Sequence, residues 1–169
     1  IINFIISSLF LLLAYILIYF FEKIFNLLSS VTLVELTNIN SDLMMEFSER
    51  APGTFQHSLQ VSNLATEAAK KINANSLLVR TGALYHDIGK MKHPEYFIEN
   101  QLGEKNPLID FDFEEASKIV ISHVTDGVEI AKRNHLPEQI INFIATHHGF
   151  CKTKYFYNSY LLANPDKSP

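Results

Sequence analysis

Gly82-Ala83-Leu84-Tyr85-His86-Asp87-Ile88-Gly89-Lys90 is the stretch that decides how this chain reads. It sets an imidazole and a carboxylate side by side at the end of an apolar run. Asn75 or Ser76 caps a helix through Leu78, Val79, Ala83 and His86 that closes near Gly89. Neighbouring helical side chains diverge by about 100°. His86 and Asp87 therefore do not approach one ion from the same direction, but a carboxylate beside a histidine ligand at a helix end is well placed to bridge two. Lys90 can neutralise a phosphate oxygen as a point charge, or be a solvated lysine.

Working outward, His57, His123 and the pair His147-His148 complete a pattern that uses five of the seven histidines. The periodicity predicts a helix from about Thr54 to Ile72, with His57, Val61, Leu64, Ala68 and Ile72 on its inward face. Before it, Asn40 or Ser41 caps a helix through Met44, Met45 and Phe47, which Pro52-Gly53 ends. Lys92 to about Asp112 is polar and irregular, a loop placed to line or cover a site. Phe113 to Asn134 forms a long helix with Ala116, Ile119 or Val120, His123, Gly127 and Ile130 inward. Pro137 opens another helix, which carries Ile140, Ile141 and Ile144 and ends at His147-His148, with Gly149 as its cap. No alternating run is long enough for a strand, so the expected class is all-α.

Each histidine has an ordinary explanation by itself. His57 or His123 can be a satisfied core residue, and a His-His pair at a helix end can be a favourable dipole cation. Jointly, those explanations must account for five imidazoles on the inner faces or ends of four helices. Imidazole and carboxylate suit Mn, Fe, Co, Ni and Zn. Cys151, the sole cysteine, rules out both a thiolate-rich structural zinc and an intramolecular disulfide. Two ions about 3.5–4 Å apart can clamp a phosphodiester for in-line attack. His93 and His135 fall in loop or helix-end positions and stay outside the site.

The chain has 169 residues and a formal net charge of -4. The acidic balance argues against binding of nucleic-acid polymers. Ile1 to Phe21 carries no charge, and at 1.5 Å per residue it spans roughly 30 Å, the thickness of a bilayer's hydrocarbon core. Residues 1–21 are expected to cross a membrane, 22–38 to form a juxtamembrane helix or connector, and 39–169 to form the remaining domain. The opening lacks a Met and lies inside the apolar run, so the chain reads as a fragment.

His86-Asp87-Ile88-Gly89-Lys90 resembles the signature of the HD-domain phosphohydrolases. The wider blocks are more specific: Gly53-Thr54-Phe55-Gln56-His57-Ser58-Leu59, Phe97-Ile98-Glu99-Asn100-Gln101, Ser122-His123-Val124 with Asp126-Gly127, and His147-His148-Gly149. In this order behind a membrane helix, they resemble the seven-transmembrane HD family of bacterial proteins that hydrolyse cyclic di-AMP. The resemblance implies an all-helical HD domain in the cytoplasm, attached to the last of seven membrane helices. It implies two divalent ions, Mn or Fe, with His57 and His86 serving one, His123, His147 and His148 the other, and Asp87 bridging. A hydroxide between the ions would attack phosphorus and yield linear 5′-pApA. The family's pattern ends in a further Asp that this chain does not reach, so the domain reads as incomplete at its C-terminus; Asp166 is not assigned that role.

Three alternatives compete with that expectation. Cyclic di-GMP enzymes of the superfamily carry Gly-Tyr-Pro shortly after the His-His pair, whereas here Gly149-Phe150-Cys151 follows. A mononuclear nucleotidase would not need His123, His147 and His148 together. A membrane receptor with a non-catalytic HD domain would bind nucleotide without turnover.

Overall fold

The computed structural model describes residues 1–25, 27–101, 103 and 106–165. Asp166 lies outside the described residues. Among these residues there are eight α-helices, four short 3-10 segments and no strand, which agrees with the all-α expectation.

Helix α1 (Ile2–Phe25) is long and apolar enough to cross a membrane, and it buries no residue against the rest of the chain. It continues past the uncharged run because Glu22 and Lys23 are themselves good helix formers. Glu22 Oε1 then accepts hydrogen bonds from Ser29 N at 2.5 Å and Thr32 Oγ1 at 3.0 Å. This ties the end of α1 to the start of α2 (Ser30–Leu36), whose first turn is capped by the Ser29 hydroxyl. Leu33 of α2 is only 2% exposed, and Tyr85 Oη donates to Leu36 O at 3.0 Å. The connector is thus docked on the core instead of hanging free.

Next come α3 (Asp42–Arg50) and α4 (Pro52–Lys71). The sequence placed Pro52 as the terminator of the earlier helix. Helix α3 does end just before it, and Pro52 also opens α4, because its missing N–H is harmless in a first turn. The expected inward face of α4 is also corrected. Leu64 and Ile72 are 73% and 76% exposed, and His57 is exposed as well. The buried stripe is Thr54, Phe55, Ser58, Ser62, Thr66 and Ala69. Small residues win here because α4 lies along α5 (Ser76–Tyr85) at close range. Two of the hydroxyls are satisfied within α4: Ser62 Oγ donates to Leu59 O at 2.8 Å and Thr66 Oγ1 to Ser62 O at 2.5 Å. Hydropathy ranks Ser and Thr as surface residues, and so it picked the wrong face.

Asn75 caps α5 through a hydrogen bond from Leu78 N at 3.0 Å. After Tyr85 the chain tightens into a 3-10 segment, Ile88–Lys92. This segment lies across α6 (Phe113–Arg133) at a crossing of two glycines. A Cβ on Gly89 would strike the His123 carbonyl oxygen and come within 2.5 Å of Gly127 N. Only bare backbone fits, and that close approach sets the His86-Asp87 pair against His123.

Helix α7 (Glu138–Thr146) packs on α5 and α6 and buries Ile140, Ile141 and Ile144. Pro137 is its N-cap, so the helix starts one residue later than expected. At its end Gly149 takes a φ of 54°, and its N–H bonds Thr146 O at 2.8 Å. A further helix, α8 (Lys154–Ala163), lies against α6. One apolar cluster holds the domain together, with Met44, Phe47, Ile88, Ile140 and Ile144 each 0% exposed. Each such side chain contributes roughly 1.5–3 kcal/mol of transfer free energy.

Candidate metal centre

Four elements deliver the candidate ligands. His57 comes from the second turn of α4, His86 and Asp87 from the end of α5, His123 from the middle of α6, and His147 and His148 from the end of α7. They fall into two groups that share one residue. His57, His86 and Asp87 form the first; Asp87, His123, His147 and His148 form the second. Within each group the ligand atoms lie within 4.8 Å of one another.

Asp87 stands between the groups and is 3% exposed. Its Oδ2 lies 3.1 Å from His86 Nε2. Its Oδ1 faces the opposite way, 3.3 Å from His123 Nε2 and 3.4 Å from His147 Nε2. These rings are close but not in hydrogen-bonding geometry, and Oδ1 is buried without a hydrogen bond.

The imidazoles are held from behind. His86 Nδ1 donates to Ala83 O at 2.7 Å, His123 Nδ1 to Val120 O at 2.5 Å and His147 Nδ1 to Ile144 O at 2.8 Å. Each bond spans three residues within its own segment and leaves Nε2 of the neutral ring as an acceptor. His123 Nε2 lies 3.3 Å from His147 Nε2 and 3.1 Å from His148 Nε2. Converging lone pairs repel unless a cation lies among them. With the orphaned carboxylate oxygen, they make a donor set that fits a divalent transition metal. Cys151 is exposed and belongs to neither group.

The charges agree with that reading. Burial alone would raise the Asp87 pKa, but the imidazoles of His123, His147 and His86 outweigh it and hold the carboxyl far below its usual range. Burial and the neighbouring His147 and His123 push His148 down to about 4, which keeps it neutral and ligand-ready at pH 7. For His86, burial lowers the pKa, and the adjacent Asp87 carboxylate more than restores it.

Lys90 adds a cation at the edge of the centre. Its Nζ lies 2.9 Å from Asp87 Oδ2 and 2.9 Å from Glu99 Oε1, over the Phe97 ring at 4.8 Å. The Phe97 ring also meets His123 edge-on at 5.7 Å. Glu99 has no role that its sequence block alone assigns. The available signal was an acidic residue flanked by an aromatic and an amide inside an otherwise irregular loop. His93 is exposed beside Glu95, and His135 closes α6 with a φ of 54°; both are outside the cluster.

The model of the HD domain matches residues 54–168. The chain belongs to the HD domain family. The match begins at the start of α4 and takes in every candidate ligand of this HD domain. Two curated relatives are named cyclic-di-AMP phosphodiesterase PgpH. The one from Listeria monocytogenes serotype 1/2a (strain 10403S) is 50% identical over 146 residues, covering 86% of this chain and 20% of that protein. The one from Bacillus subtilis (strain 168) is 41% identical over 138 residues, covering 82% of this chain and 19% of that protein. This chain thus spans about a fifth of the length of these relatives. The crystal structure of the L. monocytogenes PgpH HD domain in complex with cyclic-di-AMP superposes with a TM-score of 0.72 at 48% identity, covering 78% of this chain and 62% of that one. The HD fold of this chain follows from that likeness together with the family match.

Proposed function

We propose that this chain is the catalytic HD domain of a metal-dependent cyclic di-AMP phosphodiesterase, with a membrane helix in front of it. The reading assigns residues 1–21 to the membrane, 22–38 to the connector and 39–169 to the HD domain, cytoplasmic in a bacterial multi-pass protein. The observation that carries it is Asp87, whose two oxygens face two different sets of histidines. The relatives' printed activity and the cyclic-di-AMP complex of the similar domain support the substrate.

His57, His86 and Asp87 would hold one ion and His123, His147, His148 and Asp87 the other, with Mn or Fe as the metal. When bound, such a pair lowers the pKa of water and neutralises charge on a phosphodiester under in-line attack. The chain's own residues do the rest. Asp87 contributes one oxygen to each group and couples their geometry. The Nδ1 bonds to Ala83, Val120 and Ile144 keep three rings from turning. Lys90 presents its ammonium to a non-bridging phosphate oxygen as charge accumulates there. Phe97 covers His123 and keeps bulk water off that side.

The test is an assay of the intact, Mn-loaded protein on cyclic di-AMP and cyclic di-GMP side by side, resolving linear products by chromatography. Faster conversion of the adenine compound to 5′-pApA, abolished by Asp87→Ala, is expected. Two bound metals with cleavage of neither compound would overturn the assignment and favour a nucleotide receptor or another phosphoester.

A further inference from the structure

Lys90 is caught between two carboxylates. Its Nζ is 2.9 Å from Asp87 Oδ2 and 2.9 Å from Glu99 Oε1, and only 15% of its side chain is exposed. Asp87 Oδ2 also faces His86 Nε2 at 3.1 Å, so it is the oxygen that serves the first histidine group. An ammonium and a divalent cation compete for that oxygen because like charges repel. Lys90 needs a second place to rest before the first group can bind an ion.

Glu99 provides that place, and it is firmly anchored. Its Oε1 also accepts from Thr54 Oγ1 at 3.0 Å. The neighbouring Asn100 grips the same turn of α4 twice, through Thr54 N to Oδ1 at 3.0 Å and Nδ2 to Thr54 Oγ1 at 2.9 Å. Gly53 allows the approach, since a Cβ there would collide with the Glu99 carbonyl. The 3-10 segment Ile98–Asn100 is therefore locked to the start of α4, three residues before His57. Glu99 stays fixed while the long lysine stem moves.

We infer that Glu99 is a positioning residue: it draws Lys90 away from Asp87, frees that oxygen for the first ion, and holds the ammonium at the rim where a substrate phosphate arrives. The inference deepens the two-ion reading and rests on it. Two consequences distinguish this role from simple support of the loop. Without the Glu99 charge, Lys90 falls back on Asp87 and weakens metal retention. Without Lys90, the Glu99 charge is no longer needed for metal retention.

The experiment uses the intact protein loaded with Mn and dialysed against a series of chelator concentrations, with metal per chain read by elemental analysis. Glu99→Gln keeps an oxygen for Thr54 and removes only the charge. It is expected to lose one ion at roughly tenfold less chelator than wild type, a shift of about 1.4 kcal/mol. Lys90→Met is expected to retain both ions while its turnover of cyclic di-AMP falls. The double variant is expected to regain both ions. Retention in Glu99→Gln equal to wild type would overturn the inference. So would a double variant as depleted as Glu99→Gln, which would leave Glu99 a structural support only. A wild-type protein that holds fewer than two ions would overturn the two-ion reading itself, and the wild-type arm reports that separately.

Discussion

Gly89→Ala tests the backbone crossing on which the centre is built. An added methyl would overlap the His123 carbonyl oxygen and approach Gly127 N to 2.5 Å and Gly127 Cα to 2.9 Å. Ordinary contact begins at 3.4 Å, so all three distances fall well short of it. All these obstacles are backbone, which cannot rotate aside. The 3-10 segment and α6 must separate by more than about 1 Å, because the His123 oxygen lies closer still, which puts the cost at the upper end of the roughly 1–3 kcal/mol typical of overpacking. For a chain of this size that is a fall in Tm of about 6–12 °C, at 2–4 °C per kcal/mol. The same separation carries His123 away from Asp87, now 3.3 Å apart, so metal retention should fall together with stability. The control is Gly103→Ala, where φ is +85° but nothing lies within 4 Å. That variant carries only the left-handed penalty of about 1–2 kcal/mol and should keep its metal. The assay pairs thermal unfolding with metal content. A Gly89→Ala protein within about 1 °C of wild type and fully metallated would refute the argument that the crossing sets the site.

Two other expectations concern charge and the membrane. Burial raises the Glu99 pKa, but the hydrogen bond and charge of Lys90 outweigh it and hold the carboxyl below its ordinary 4.5. Its contribution to the stability of the metal-free protein is then fully present above that pH and is lost as the pH falls below it. The stability gap between wild type and Glu99→Gln should therefore narrow on going from pH 7 to about 3.5 in urea unfolding; an unchanged gap would refute the pairing. Extraction of the intact protein from membranes should require detergent, and recovery as a freely soluble monomer would remove the membrane assignment from α1.

The helical architecture was readable because apolar spacing, caps and Pro137 agree along most of the chain. Asn75 caps α5 as its side chain suggests, and Gly149 takes the left-handed turn that ends α7. The six candidate residues stood out because imidazole is scarce and its spacing on helices is informative, and the fold brings them together. The packing of α4 was not readable in the same way. Ser58, Ser62 and Thr66 are buried because short side chains let two helices approach, a property that pair geometry decides and hydropathy does not register. His57 is exposed for the same reason: the buried stripe of α4 runs along a neighbouring face, and His57 reaches the first group from its edge. Glu99 stayed silent because its meaning depends on Lys90 and Thr54, which lie nine and forty-five residues away. Helix α8 also escaped notice, since Lys154–Ala163 mixes aromatic and polar residues and buries none of them fully.

The Nδ1 bonds of His86, His123 and His147 each return to a carbonyl three residues earlier in the same segment. The orientation of each ring is thus decided locally, before the helices meet. An arriving ion need not freeze three free rotors, and the ordering entropy is spent during folding, not at capture. Under the proposed function, loss of an ion would leave these three rings aimed as they were, and a depleted protein would be recharged without unfolding.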